Sequence, residues 1–510
     1  MKIAIIGAGP AGLITARNAI KDGFDVVLLE KLSRVGGIWN PDSGGAYHNA
    51  RMQNSRYTFH FSSIASENSD DFPSVAQVGD YLERMTISEG IMDVVRLNTT
   101  VTDLTRTDSG WSVTSQHENE YQHESFDKVI IATGELWQPQ SLTVPGIAHF
   151  SGSVVTSRDY QQPEVFAGKK ILVVGGGVSG ADIASDLVPF ASSVTLSVRK
   201  LGLFLPRYFS AGPNDMMHSY LGRYLLNQLP YEKYITYLDN ILPEYMQMYR
   251  SSGILPSITN NNAVHVNEKI IPNIASGLIT VKPPLERFLE NGLAEFVDAS
   301  KAEYDVIISC TGYEMPDYSF VPKLDRSRLY EHFFWANDPS LSVINPPVDT
   351  AGFGAAFPYF DIISQWVLGV FAGKIQLPST EIMAKWCDEH MHSLQVKRFY
   401  DSWLETIRIG VHCGVLPSPE KDFRCYWNLI TSIAKPEYLV SAPKTPDPGI
   451  MDGLLYVEEA KVKVLAGLPE NVLSQLLAQK EITVEEYHAA MNVADDEIIY
   501  AELPYSQVYL

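Results

Sequence analysis

The sequence predicts an α/β fold with two doubly wound parallel sheets and a helical C-terminal tail. A strand, a glycine turn, a helix and a second strand follow one another over residues 2–30, and the same pattern recurs over 169–200. The strands of both units are continuous aliphatic runs, as expected for parallel strands buried on both faces. Two further aliphatic strands, at 127–134 and 304–313, end in similar glycine-containing turns. Each unit is therefore predicted to be a Rossmann-like βαβ unit.

The first glycine turn, GAGPAG, has the spacing of a dinucleotide-binding loop. Gly7 permits a tight turn, Gly9 lets the backbone approach a pyrophosphate, and Gly12 lets helix and strand pack closely. The helix N-terminus then presents free N–H groups to the phosphates. Glu30 ends the second strand, where a carboxylate accepts hydrogen bonds from ribose hydroxyls and repels a 2′-phosphate. This site is expected to hold FAD or NAD rather than NADP.

The next segment, EKLSRVGGIW at 30–39, contains two adjacent glycines, Gly36 and Gly37. Gly37 would let the backbone approach a bulky cofactor, and Trp39 is placed to pack beside it. An ordinary glycine loop with a core tryptophan is an equally good interpretation of these residues alone.

The second glycine turn repeats the geometry with Gly175, Gly177 and Gly180, but the charge at the end of its second strand is reversed. Arg199 and Lys200 occupy the place where the first unit has its carboxylate. A guanidinium there can clamp a 2′-phosphate, and the lysine adds positive charge. The second site is therefore predicted to bind NADPH in preference to NADH, with a simple surface Arg–Lys pair as the alternative. Two such sites in one chain indicate hydride transfer from a nicotinamide to a flavin.

Composition narrows the classes of partner. The net charge is −21, from 39 basic and 60 acidic residues, which argues against nucleic acid or an anionic membrane as a partner. The four cysteines form no C-x-x-C pair, so neither a zinc site nor a dithiol redox centre is indicated, and no other metal site is predicted. No signal-peptide pattern or bilayer-length apolar stretch is present, so a cytoplasmic location is expected.

The motifs divide the chain into three parts. We predict an FAD-binding domain at 1–150 and 308–440, an NADPH-binding domain inserted at 151–307, and an acidic helical extension at 441–510. The extension has four Lys and twelve acidic residues, so it contributes −8 to the charge, and it starts with a Pro-rich stretch, 441–449, typical of a linker. Its helices are expected at about 454–467, 469–479 and 484–492, the last with a capping box of Thr483 and Glu486.

The segment between the two units, FSGSVVTSRDY, resembles the fingerprint FxGxxxHxxx(Y/F) of the flavin-containing monooxygenases. The Phe, Gly and Tyr160 match, and Thr156 replaces the His. The resemblance extends over residues 1 to about 430 and includes GGIW, QNS, ATG, CTGY and the segment 352–379. It implies that Asn54 is an active-site residue over the flavin, and it adds three residues to the cofactor site, namely Gly134, Gly312 and Gln365.

The resemblance implies an enzyme that uses NADPH, FAD and O2 to oxygenate a small nitrogen or sulfur compound through a flavin C4a-hydroperoxide. Thr156 leaves NADH open as a donor, because the His position of the family helps to place the nicotinamide. The alternatives are Baeyer–Villiger oxidation of a ketone, and an NAD(P)H oxidase or reductase without oxygen transfer. The expected partners are the substrate and O2, and a homodimer is left open.

A stretch rich in aromatic and methionine residues, 204–249, could line a substrate passage, but core or interface packing is the favoured interpretation.

Overall fold

The computed structural model describes residues 1–47, 49–256, 264–345, 356–395, 401–501 and 503. Its strands are β1 Lys2–Ile6, β2 Asp25–Leu29, β3 Val95–Arg96, β4 Thr99–Thr107, β5 Gly110–His117, β6 Glu120–Phe126, β7 Lys128–Ile131, β8 Ser153–Thr156, β9 Lys170–Val174, β10 Ser193–Ser197, β11 Leu203–Leu205, β12 Tyr208–Phe209, β13 Gly212–Pro213, β14 Val264–Val266, β15 Ile279–Lys282, β16 Leu285–Phe288, β17 Ala294–Phe296, β18 Lys301–Ala302, β19 Val306–Ser309, β20 Leu329–Tyr330, β21 Phe334–Trp335 and β22 Leu341–Val343. Its α-helices are α1 Pro10–Lys21, α2 Val75–Ser88, α3 Val178–Leu187, α4 Tyr220–Asn227, α5 Tyr231–Ile241, α6 Pro243–Ser251, α7 Ile270–Ala275, α8 Ala356–Phe371, α9 Thr380–Gln395, α10 Ser402–His412, α11 Phe423–Ile430, α12 Glu437–Val440, α13 Lys461–Ala466, α14 Glu470–Ala478 and α15 Val484–Ala490.

The first sheet has the order β20-β21-β22-β7-β1-β2-β3. The five strands from β22 to β3 are parallel, and β20 and β21 extend the edge in antiparallel fashion. The aliphatic side chains of β1 are almost fully buried because α1 and α8 pack over one face and the β4-β5-β6 sheet covers the other. The glycine turn after β1 therefore opens at the carboxyl edge of the sheet centre, where ligands of doubly wound folds bind.

The second sheet, β15-β10-β9-β19-β8, is parallel throughout. Its strands β15-β10-β9-β19 follow the same chain order as β3-β2-β1-β7 of the first sheet, but the fifth strands differ, because β8 precedes β9 in the chain whereas β22 follows β7. In both sheets the strand before the glycine turn is central, and the strand after the first helix lies beside it. Both units also insert a three-stranded antiparallel sheet before the strand that returns to the centre: β4-β5-β6 in the first and β16-β17-β18 in the second. The prediction of two Rossmann-like folds is confirmed.

The sheets show how the chain alternates between the two folds. The first sheet contains strands that precede the second sheet in the chain (β1, β2, β3 and β7) and strands that follow it (β20, β21 and β22). This arrangement is expected when one fold is inserted into another. The proposed boundary between 307 and 308 falls inside β19, which belongs to the second sheet, so we propose that the inserted unit ends just after that strand. The fingerprint segment is more than a connection, because residues 153–156 form the edge strand β8 beside β19.

The C-terminal extension packs on the first fold. Val464, Leu465 and Leu473 join the same buried cluster as α1 and α8. The predicted capping box of α15 is present, but the helix expected at 454–467 is interrupted. Tyr456 has a left-handed φ of 55°, so the chain forms two 3-10 turns, Asp452–Leu455 and Glu458–Ala460, before α13 begins.

The Pro-rich stretch at 441–449 is held in place rather than free. The Asn428 side-chain amide donates to the carbonyls of Pro443 and Lys444, and the Ile433 N–H donates to the carbonyl of Asp447. The expected linker is therefore a packed connection between α12 and the extension.

The aromatic and methionine-rich stretch 204–249 contributes to the core of the inserted fold. Phe204, Met217, Met246 and Tyr249 are fully buried in one cluster, whereas Tyr208 is exposed. The core interpretation holds for most of these residues. No helix in the described part of the chain combines the length and the apolar character needed to cross a bilayer.

Candidate cofactor and active site

The two glycine turns have the same close packing. A side chain at Gly12 would overlap the carbonyl oxygen of Gly7, and one at Gly180 would overlap that of Gly175. Each helix therefore lies directly against the turn that precedes it. This is the packing role predicted for the third glycine of each motif.

Both turns also rest on the end of the central return strand. Gly7 has a φ of 104°, and a side chain there would stand 2.5 Å from the carbonyl oxygen of Ala132. Gly175 has a φ of 128°, and a side chain there would overlap the carbonyl of Cys310. The ATG segment (132–134) therefore packs directly against the first glycine turn, and the CTGY segment (310–313) packs directly against the second.

The glycines that close these segments are open to solvent. Gly134 and Gly312 are exposed, have positive φ, and leave open space where a side chain would be. The Gly134 N–H donates to Oδ1 of Asn345 at 2.9 Å, which fixes this edge of the first turn. A cofactor at either turn could approach the backbone here without a side chain in the way.

The two helices begin without a side-chain cap. The N-cap residues are Gly9 for α1 and Gly177 for α3, and neither supplies a hydrogen-bond acceptor. Apart from its chain neighbours and its own helix, no described residue has an atom within 4 Å of the position a side chain at Gly177 would take. Gly37 lies close to the start of the first helix, since a side chain added at this position would stand 3.1 Å from the Gly9 Cα. Both N-termini are therefore arranged to receive an anionic group.

The Glu30 carboxylate lies under the first turn. Its two oxygens accept hydrogen bonds from the Ala8 N–H at 2.6 Å and the Leu32 N–H at 2.8 Å. It is 5% exposed, and burial raises its pKa above the ordinary value. Two backbone N–H groups thus fix the orientation of the carboxylate, and its hydrogen bond to a ribose hydroxyl stays a prediction.

The corresponding end of β10 carries the opposite charge. Arg199 and Lys200 are both exposed, and neither forms an ion pair with another described residue. Their charges are therefore available to an anionic ligand at the second turn.

Trp39 lies between the two folds. It is partly buried and packs against the clusters of both the N-terminal and the inserted fold. Nearby, the Lys31 ammonium and the Arg158 guanidinium each lie 4.3 Å from the ring centroid of Trp137. Arg158 also donates to the carbonyls of Gly44 and Trp137, which ties the fingerprint segment to the N-terminal fold.

Asn54 is 7% exposed, and its side chain makes no hydrogen bond within the described residues. Its neighbour Ser55 is anchored, because the Ser55 N–H donates to Oδ2 of Asp215 at 2.5 Å. The Thr58 hydroxyl donates to the same oxygen at 2.5 Å. The loop is therefore held by a carboxylate of the inserted fold, while the amide of Asn54 remains available to a ligand.

Gln365 lies on α8, where its amide donates to Oδ1 of Asp361 at 3.1 Å. The same Asp361 oxygen accepts from Asn18 on α1 at 2.8 Å, so the pair belongs to the contact between the two helices. A role of Gln365 at the cofactor stays a prediction.

The fingerprint residues have partners within the inserted fold. The Thr156 hydroxyl donates to Asp159 at 2.7 Å, and the Tyr160 hydroxyl donates to Asp186 at 2.7 Å. Tyr160 also stacks on Phe166 with a centroid distance of 5.7 Å. The Tyr thus joins the fingerprint to α3, and the Thr is engaged by a neighbouring acid.

A cavity of about 620 Å³ lies between the two folds. Beside it, the Tyr47 hydroxyl donates to Asp182 at 2.7 Å, and the Asn49 amide donates to Asp186 at 2.9 Å. Both acids belong to α3, the helix that starts at the second glycine turn. These bonds fix the orientation of the second site relative to the N-terminal fold.

Sequence reasoning missed Asp215, Arg158 and the two α3 acids. Arg158 stands within the fingerprint and could have been singled out by its position there. No local pattern distinguishes Asp215 or the acids, because their partners are far away in the chain.

The residues present fit FAD at the first turn and a nicotinamide dinucleotide at the second. Uncapped helix starts, open glycines and a buried Glu suit the first, and an exposed cationic strand end suits the second. Two dinucleotide-binding folds in one chain are typical of flavoprotein oxidoreductases.

Comparison with known proteins gives the family. The model of the family "FMO-like: Flavin-binding monooxygenase-like" matches residues 1–410, and the chain belongs to that family. It is 29% identical over 438 residues to Flavin-containing monooxygenase 3 of Homo sapiens, covering 80% of each chain. The predicted resemblance and enzyme class are confirmed. Membership implies FAD as cofactor, with O2 and a substrate as reactants.

Solved structures share the fold. The S-allyl-L-cysteine S-oxygenase from Allium sativum has a TM-score of 0.57 at 20% identity and covers 94% of this chain and 97% of its own. The open form of cyclohexanone monooxygenase has a TM-score of 0.59 at 16% identity and covers 77% and 93%. At these identities the likeness concerns the fold alone.

Proposed function

We propose that this enzyme uses NADPH and FAD to transfer one oxygen atom from O2 to a soft nitrogen or sulfur nucleophile. In the overall reaction, NADPH, a proton, O2 and the substrate give NADP+, water and the oxygenated product. The observation that carries the proposal is a difference in charge between the two similar dinucleotide-binding units. Glu30 follows β2 in the first unit, and Arg199 follows the corresponding strand β10 in the second. A carboxylate suits the free ribose of FAD, and a guanidinium suits the 2′-phosphate of NADPH.

FAD, when bound, accepts hydride and activates O2, and the chain's own residues bind it and keep its reactive side dry. We propose that the helix starts at Gly9 and Gly177 hold the two pyrophosphates. Asn54 would supply an amide that donates and accepts without titrating, which suits a neutral reacting group. Its low exposure and the lack of a hydrogen-bond partner among the described residues support that role.

Reaction of the purified, FAD-loaded protein with NADPH and with NADH under nitrogen tests the hydride step. We expect faster reduction by NADPH at low concentration. The reduced protein is then mixed with air and methyl phenyl sulfide, N,N-dimethylaniline or cyclohexanone, and product is measured per NADPH consumed. Sulfoxide or N-oxide supports the proposal. Lactone alone would indicate ketone oxidation, and hydrogen peroxide without any product would indicate an oxidase.

The Asn54→Ala variant tests the site itself, with Asn119→Ala, an exposed asparagine in the β5–β6 turn, as matched control. We expect Asn54→Ala to keep FAD and to be reduced by NADPH at a rate within about twofold, while product per NADPH falls at least about tenfold. Equal product yields from both variants would exclude a direct role for Asn54.

A further inference from the structure

The C-terminal extension contacts the segment 214–219 of the inserted fold, through residues 216–219 of that segment. The Met451 N–H donates to the carbonyl of Met217 at 2.8 Å, and the Ile450 N–H donates to that of Met216 at 3.3 Å. A side chain at Gly449 would overlap the backbone of His218, so the two chain segments are in direct contact. The contact therefore depends on the backbones of both segments.

Asp452 holds the C-terminal end of the segment 214–219. Its two oxygens accept from the Ser219 N–H at 3.1 and 3.2 Å, and one also accepts from the Gly449 N–H at 2.9 Å. It is 4% exposed, and a side chain at Gly222 would overlap its Oδ1. The carboxylate thus lies against the N-terminus of α4, where negative charge is favourable.

Asp215 anchors the other end of the same segment to the loop of Asn54, through the bonds from Ser55 and Thr58. Asp215 is also 4% exposed, and its Oδ1 is buried with no hydrogen-bond partner among the residues that the structure describes. Met217, in the middle of the segment 214–219 that the two acids hold at its ends, is fully buried. Water therefore cannot easily replace either set of bonds, and a shift at one anchor has to be taken up by the other.

We propose that residues 447–452 of the extension position the loop that carries Asn54, with Asp452 and Asp215 as the two positioning residues. The importance of that loop for oxygen transfer rests on the proposed function. The coupling between the extension and the loop, through residues 214–219, does not depend on it. Because misplacement of a reacting group by about 1 Å can cost about a hundredfold in rate, a tail contact far from the cofactor can control oxygen transfer.

Hydrogen exchange of the full-length, FAD-loaded protein tests the link directly. Asp452→Asn is compared with Glu458→Gln, an exposed control with the same charge change in the same part of the tail. We expect amides of residues 52–60 to exchange about tenfold faster in Asp452→Asn and unchanged in the control, with the amides of β9 unchanged in both. Faster exchange confined to 214–222 and 447–452 would overturn the proposal.

If Asp452→Asn does not fold, Met451→Ala, a milder change in the same contact, takes its place, with about threefold faster exchange expected at 52–60. Unchanged exchange there overturns the proposal. Activity gives the second measurement: Asp452→Asn should lower product per NADPH while the KM for NADPH stays within about twofold of wild type. If the wild-type protein itself forms no oxygenated product but the exchange pattern holds, the proposed function fails and the positioning stands.

Discussion

Gly177→Ala separates binding of the nicotinamide cofactor from the stability of the fold. The residue has φ −86° and ψ −170°, which alanine adopts without strain, and in the described part of the chain no atom outside its own helix and chain neighbours lies within 4 Å of the side-chain position. The change in free energy of unfolding should therefore stay below about 0.5 kcal/mol. A methyl group there would nevertheless keep a pyrophosphate away from the helix N-terminus and weaken at least one charge-assisted hydrogen bond. A loss of about 1.5–3 kcal/mol corresponds to a Kd for NADP+ raised about 10- to 100-fold.

The assay is titration of FAD-loaded protein with NADP+, combined with thermal melting. Gly453→Ala is the control, because its side-chain position in the extension is equally open. Gly180→Ala gives the contrast, since its methyl would overlap the Gly175 carbonyl and should lower Tm as well as binding. An unchanged Kd for NADP+ in a stable, yellow Gly177→Ala protein would refute the assignment of the second turn.

Three further results are expected. Arg199→Gln should raise the KM for NADPH about tenfold in steady-state assays and leave the KM for NADH unchanged, because only NADPH carries a 2′-phosphate. Equal changes for both cofactors would show that Arg199 does not bind the 2′-phosphate. Glu30→Gln puts an amide against the Ala8 or Leu32 N–H, so the Kd for FAD should rise about tenfold or more by fluorescence titration; unchanged FAD affinity would contradict this. Burial lowers the pKa of His265 to about 4, so its contribution to stability is present above pH 6.5 and is lost as the pH falls towards 4; urea unfolding should show a shallower acid loss in His265→Gln but not in His149→Gln.

The glycine turns and their flanking strands and helices could be predicted closely from the sequence. Helix α1 starts at Pro10 and α3 at Val178, so each begins within its glycine motif, as the predicted order of strand, glycine turn and helix requires. These signals are local, because a buried parallel strand, a glycine turn and a helix N-terminus each depend on neighbouring residues. The duplicated topology of the two sheets strengthens the interpretation beyond what either motif supports alone.

The surroundings of the candidate site could not be predicted in the same way. The break at Tyr456 lies between Leu455 and Val457, which pack on the buried cluster of the first fold. The Pro-rich stretch is held by hydrogen bonds from Asn428 and Ile433. The edge strand formed by the fingerprint needs β19 as a partner. In each case the deciding contact comes from another part of the chain, which local propensity does not report.

The sequence by itself determined the two dinucleotide-binding units, the charge at each strand end and, through the motifs, the family. Only the tertiary structure decided which acids hold the loop of Asn54 and how the extension reaches the inserted fold. Ser55 and Asp215 are 160 residues apart in the chain, and Ser219 and Asp452 are 233 apart. Such pairings arise when the folds and the extension pack together, because burial then leaves each carboxylate only the donors that packing brings to it.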